Sequence, residues 1–180
     1  MKAMLVKPIA MCGLAIMLLG MTACGNNGGS TSYFKTVTVA PVGTLPNTTS
    51  TVLASNNTSD TAVTVTLQST AYAGITTPSP VTITRSTIHY AKDATFSPGT
   101  APATLPDQDG PRGQILPGGT LALPFDTAAG IFKDNLVSSS GFVPGGPKWR
   151  YFVTYSFSAT EDYTNTSASF TVPGGAITFQ

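Results

Sequence analysis

Charge is the scarcest property of this 180-residue sequence: Asp, Glu, Lys and Arg make up 9% of it, against about 25% in an average soluble domain. Histidine occurs once, at His89, and Glu once, at Glu161. Cysteine occurs only at Cys12 and Cys24, so the chain beyond Cys24 holds neither a disulfide framework nor a thiolate metal site. Beyond Cys24, seven basic side chains face eight acidic ones. A near-neutral surface without a basic cluster excludes nucleic acid as a partner, because phosphate binding needs several Lys or Arg to displace counterions. One histidine and one glutamate leave little from which to build an acid–base pair, and the expectation is a protein that is not an enzyme.

The N-terminus is where the apolar residues run on. Lys2 and Lys7 precede an apolar stretch from Ile9 to Gly20, and the apolar character stops at Ala23. A positive segment followed by about a dozen apolar residues is the pattern of a secretory signal peptide, and it is too short for a spanning helix. The residues Met21-Thr22-Ala23-Cys24 resemble the lipobox of bacterial lipoproteins, departing from it in Met21, where Leu is usual. The resemblance implies a helical signal peptide over 1–23, cleavage before Cys24, and a covalent lipid (palmitate among its acyl chains) on Cys24. It also implies a chain anchored in the cell envelope. Gly25, which is not Asp, points to the outer membrane by the enteric sorting rule. Several acyl chains hold a protein on a bilayer stably where one does not. Residues 24–32, rich in Gly, Asn and Ser, read as a flexible tether.

From residue 33 to 180 the chain is Thr-rich, with turn clusters between alternating segments, and reads as all-β. Strands are expected over Tyr33–Val39, over Thr61–Tyr72 with Val63, Val65 and Leu67 inward, and over Val81–Tyr90. In the last of these the inward parity changes between Ile83 and Ile88, which predicts a β-bulge near Arg85 or Ser86. Leu121, Leu123 and Phe125 mark a strand that Pro124 assigns to an edge or a strand end. Asp126–Val137 suggests a short helix capped by Asp126 or Thr127, with Ala128, Ile131, Phe132 and Leu136 on one face. Trp149–Ala159 alternates most regularly, Ala168–Val172 follows a turn at Glu161–Asn165, and Ile177–Phe179 ends the chain. About seven strands resemble a single immunoglobulin-like or fibronectin type III-like antiparallel β-sandwich, without the cysteine pair of antibody domains.

Candidate sites are few. Lys148, Trp149 and Arg150 mix aromatic and basic groups that suit a sugar ring or an acidic partner, although unbroken alternation through Phe157 favours a strand entering the core. Asp107 and Asp109 before Gly110 match the start of a Ca²⁺ loop, with Asp93 as a distant ligand. The missing oxygen ligands favour a proline-flanked turn instead, and no other cofactor or metal is expected. His89 reads as a surface residue on a strand, and Glu161 and Asp162 as solvated turn residues. The connection from Lys92 to Gly119, with five prolines, reads as a presented loop or as passive disorder. The expectation is a membrane-anchored, non-enzymatic sandwich that binds or scaffolds another envelope component, protein or glycan, or alternatively a carbohydrate-binding or adhesive surface module.

Overall fold

The computed structural model describes residues 30–180. The expected signal peptide and the expected lipid site at Cys24 lie outside the described residues. Ten strands and one helix follow in order: β1 (Ser32–Tyr33), β2 (Val37–Pro41), β3 (Thr48–Ser50), β4 (Thr61–Ala71), β5 (Val81–Lys92), β6 (Thr104–Asp109), β7 (Gly113–Ile115), β8 (Thr120–Ala128), α1 (Gly130–Ser139), β9 (Trp149–Glu161) and β10 (Thr166–Phe179). They form two stacked sheets. One has the order β1-β2-β4-β8, and the other β3-β10-β9-β5-β6, with β7 pairing the same edge of β5 as β6 does. This is the immunoglobulin-like arrangement. The first, second and fifth strands of that fold share one sheet (β2, β4, β8). The third, sixth and seventh share the other (β5, β9, β10), extended beyond the third by β6.

The alternation seen in the sequence does the folding. Val63, Val65 and Leu67 of β4 are buried, as are every second residue of β9 from Trp149 to Ala159. Between the sheets, the Phe125 ring lies 4.7 Å from that of Tyr155 and 5.8 Å from that of Phe157, which stacks on Phe170 at 5.1 Å. Tilted and edge-on aromatic contacts of this kind add to plain area burial. Burial pushes the Tyr151 phenol up to about 12 and raises Tyr90 and Tyr155 as well. Tyr90 donates its hydroxyl to the Thr127 carbonyl at 2.6 Å, so its polar tip is not left unpaired in the core. The bulge in β5 falls between Ile83 and Arg85, where the pairing to β9 shifts by one residue, and it returns Ser86, Ile88 and Tyr90 to the inner face. Pro124 lies in β8, an edge strand, where the ladder bond it lacks is not needed.

Several expectations are corrected. Ser30 and Ser32 belong to the fold rather than to a free tether: Ser30 bonds Thr171 and Ser32 is buried in β1. The first expected strand is a tight hairpin, because the Phe34 N–H donates to the Val37 carbonyl at 2.9 Å and turns the chain. The sandwich is not wholly antiparallel, since β3 runs parallel to the end of β10. The same pairing covers the C-terminal strand on both sides. The Pro-rich connection 92–119 is ordered and only partly loop: an irregular segment that carries exposed Phe96 joins β5 to β6. Buried Leu105 and Ile115 anchor β6 and β7 on β5, and only their outward neighbours, Pro106 among them, show the polar pattern that resembled a loop.

The helix starts four residues later than its sequence suggests. β8 continues through Asp126 and Thr127, so neither caps it, and the Gly130 N–H is bonded instead by the Asp60 carboxylate at 2.8 Å from the β3–β4 connection. The later start rotates the buried face onto Phe132, Lys133 and Leu136, leaving Ile131 exposed. Lys133 is 1% exposed and donates to the Ser59 carbonyl at 2.6 Å. Burial lowers its affinity for a proton, with Asp60 opposing. A desolvated ammonium contributes little net stability, so Lys133→Met is expected to leave the unfolding free energy from urea titration within about 1 kcal/mol of the parent or to raise it. A loss above about 2 kcal/mol would show that the Ser59 bond outweighs desolvation.

Candidate functional site

The outer face of the six-stranded sheet is the most built surface of the molecule. Its cross-strand rows are almost all hydroxyls: Thr87, Ser156 and Thr171 stand side by side across β5, β9 and β10, and Ser158 and Ser169 continue the pattern beside Arg85. They line an open groove of about 490 Å³, with Ser30 at its border. Two charge pairs stand at the β5–β6 side. His89 Nδ1 lies 2.8 Å from an Asp107 carboxylate oxygen, and Arg85 lies 4.0 Å from Asp109. The antiparallel pairing of β5 and β6 brings these side chains together: Asp109 lies opposite Thr87, two residues from Arg85, and His89 and Asp107 meet where the register shifts.

Asp107 and Asp109 lie on β6, not in the proline-flanked turn that the sequence favoured over a Ca²⁺ loop. Both carboxylates sit on a strand, Asp107 against the His89 ring and Asp109 near Arg85. Asp93, the distant ligand of the Ca²⁺ reading, is engaged elsewhere. The Thr95 hydroxyl donates to it at 2.6 Å and holds its carboxyl below the usual range against the opposing effect of burial, with Arg150 adding to the lowering at 3.7 Å. Among the described residues, no cluster of three or more His, Cys, Asp or Glu side chains is placed to hold a metal ion.

The Lys148–Arg150 segment divides as its alternation requires. Trp149 is 4% exposed and packs edge-on against Phe142 at 5.1 Å, which removes it as a sugar platform. Lys148 and Arg150 remain outside. Arg150 lies over the ring of Phe96, 5.2 Å from its centroid, and Phe96 is 52% exposed. Two residues along β9, Phe152 is also 52% exposed, with only Ala91 and Ala176 opposite it on the neighbouring strands. Sequence reasoning missed both rings. The signal for Phe152 is present in the chain: it is an apolar residue at an outward position, between Arg150 and Thr154. Phe96 carries no such signal, since its turn is not periodic.

Glu161 is not a solvated turn residue. Its carboxylate is buried at the end of β9 and accepts the Thr36 N–H at 2.8 Å, the Lys35 N–H at 3.1 Å, and the hydroxyls of Thr36 and Thr164. Burial alone would raise its carboxyl. The donors of Thr164 and Thr36, with the Lys35 amide, outweigh that and leave it below the ordinary value. Thr36 also accepts the Ser79 N–H at 2.9 Å, and Ser79 accepts the Tyr163 N–H at 2.9 Å. The carboxylate thus ties the N-terminal hairpin, the β4–β5 loop and the β9–β10 turn into one corner.

No family model matches this sequence, and no curated protein matches it. Among solved structures, the chain is similar to a protein from Archaeoglobus fulgidus of known crystal structure. The two are 8% identical, the match covers 84% of this chain and 98% of that one, and the TM-score is 0.30. Among the described residues, no helix is long and apolar enough to cross a membrane.

Proposed function

We propose that this chain is a membrane-anchored, non-enzymatic sandwich that binds another component of the cell envelope through the outer face of its six-stranded sheet. The observation that carries this reading is the position of Ser30. It bonds the backbone of Thr171 on β10, at the border of the hydroxyl-lined groove. Only five residues separate it from Cys24, a reach of at most about 22 Å. A lipid on Cys24 therefore keeps the groove close to the bilayer surface. The open setting of the His89–Asp107 pair supports a binding role. The side chains are 40% and 55% exposed, and water there screens the electrostatic stabilisation on which catalysis depends. Shallow grooves lined by many hydroxyls suit polar surfaces that exchange ordered water for hydrogen bonds.

The test places a photo-crosslinking side chain at Ser156 in the groove, or at Thr64 on the outer face of β4, in the full chain in cells. Adducts with envelope material are expected from position 156 alone, and Cys24→Ser is expected to release the protein from the membrane fraction. Equal yields from both positions, no adduct from either, or a membrane-bound Cys24→Ser protein would contradict the proposal.

A further inference from the structure

We infer that the end of this same face carrying Phe96, Arg150 and Phe152 binds an anionic polysaccharide, with Phe152 as the stacking platform. The inference rests on the proposal that this face meets the envelope, and it adds the chemical class of the ligand. Three features converge there. The first is an exposed ring whose face is left open, because both cross-strand neighbours of Phe152 are alanines. Beside it lies a groove of about 430 Å³ floored by Pro173, Gly174 and Gly175. Both glycines are held by packing beneath them: a Cβ at Gly175 would sit 2.1 Å from the Pro46 carbonyl oxygen, and one at Gly174 2.9 Å from the Val153 carbonyl oxygen. The two glycines leave backbone without side chains beside the ring, lining the same groove.

The second feature is charge. Lys148 and Arg150 stand at this end against a single carboxylate, Asp93. Asp107, farther along β6, is paired with His89. Among the described residues, Lys148 is exposed and makes no hydrogen bond or ion pair, so at least one full positive charge faces solvent. The third feature is the Arg150–Phe96 stack. The ring backs the guanidinium, which lies 3.7 Å from Asp93 and stays 30% exposed, with donors left for a carboxylate or sulfate. Aromatic faces take the apolar C–H face of a pyranose, and the neighbouring Thr154 and Thr178 on the same face supply hydroxyl partners.

Affinity electrophoresis of the full chain in detergent, in gels holding polygalacturonate or dextran, tests this. Polygalacturonate is expected to retard the protein, and dextran to leave its mobility unchanged. Phe152→Ala is expected to weaken retardation at least tenfold, as is the double variant Lys148→Gln/Arg150→Gln, each with an unchanged thermal midpoint. Retardation should fade as sodium chloride rises from 20 to 300 mM, because exposed charge pairs are screened. The inference is overturned by no retardation in polygalacturonate, by equal retardation in dextran, or by a folded Phe152→Ala protein that migrates as the parent does. Crosslinking from Ser156 that persists in such a case leaves the binding face standing and removes only the ligand class.

Discussion

Glu161→Ala is expected to cost about 3–5 kcal/mol of folding stability in urea titrations, the largest loss among the substitutions considered. The change leaves two backbone N–H groups and two hydroxyls without their shared acceptor in a buried corner. Each unsatisfied donor costs about 1–3 kcal/mol, reduced where a hydroxyl can turn to another partner. Glu161→Gln keeps one acceptor oxygen and should lose roughly half as much. A change below about 1 kcal/mol in the alanine variant would mean that water reaches these donors.

The same residue has a signature in pH. Its folded carboxyl lies below the ordinary 4.5. A depressed acid stabilises the fold above the unfolded value, and that contribution is lost as pH falls through the folded one. Asp93 and Asp134 are depressed as well, Asp134 chiefly by the Asn57 amide, so the parent weakens progressively below about pH 4.5. Glu161→Gln should flatten part of that acid limb. An unchanged slope would show that Glu161 titrates alike in the folded and unfolded chains.

Gly130→Ala gives the second large effect, and with a sign opposite to the one helix propensity predicts. Alanine in place of glycine inside a helix normally gains about 1 kcal/mol. At Gly130 the added Cβ would lie 1.9 Å from the Asn57 carbonyl oxygen, a backbone atom that cannot rotate away. Separating the helix from the β3–β4 connection would break three contacts at once: Asp60 to the Gly130 N–H, Asp134 to Asn57, and Lys133 to Ser59. The expected loss is about 3 kcal/mol. In a domain of this size that lowers the melting temperature by roughly 6–12 °C in calorimetry. A rise in melting temperature would show that the contact relaxes without harm.

The reasons some features were legible in the chain, and others not, are physical. Strands β4 and β9 were readable because period-2 burial on one face of a sheet writes itself into the residue order. The β5 bulge was readable for the same reason, as a break in that parity. Strands β6 and β7 were hidden because each is short and sits on an edge, where prolines and acids are tolerated. Only Leu105 and Ile115 face inward, too few to make a pattern. The helix start was misplaced because its cap is Asp60, seventy residues earlier in the chain, where no local signal can reach.

The candidate site divides along the same line. Trp149 was expected in the core from alternation alone, and Phe152 stands outward in the same strand by the same rule. That Asp107 meets His89, that Arg150 rests on Phe96, and that Glu161 is buried rather than solvated depend on pairings between strands far apart in the chain. The sequence by itself determined the all-β class, the inward faces of the long strands and the scarcity of ionisable groups, because these follow from local periodicity and composition. Only the tertiary structure decided which charges are partnered and which aromatics stay open. Those depend on register and sheet order, which long-range backbone pairing sets and no neighbouring residue encodes.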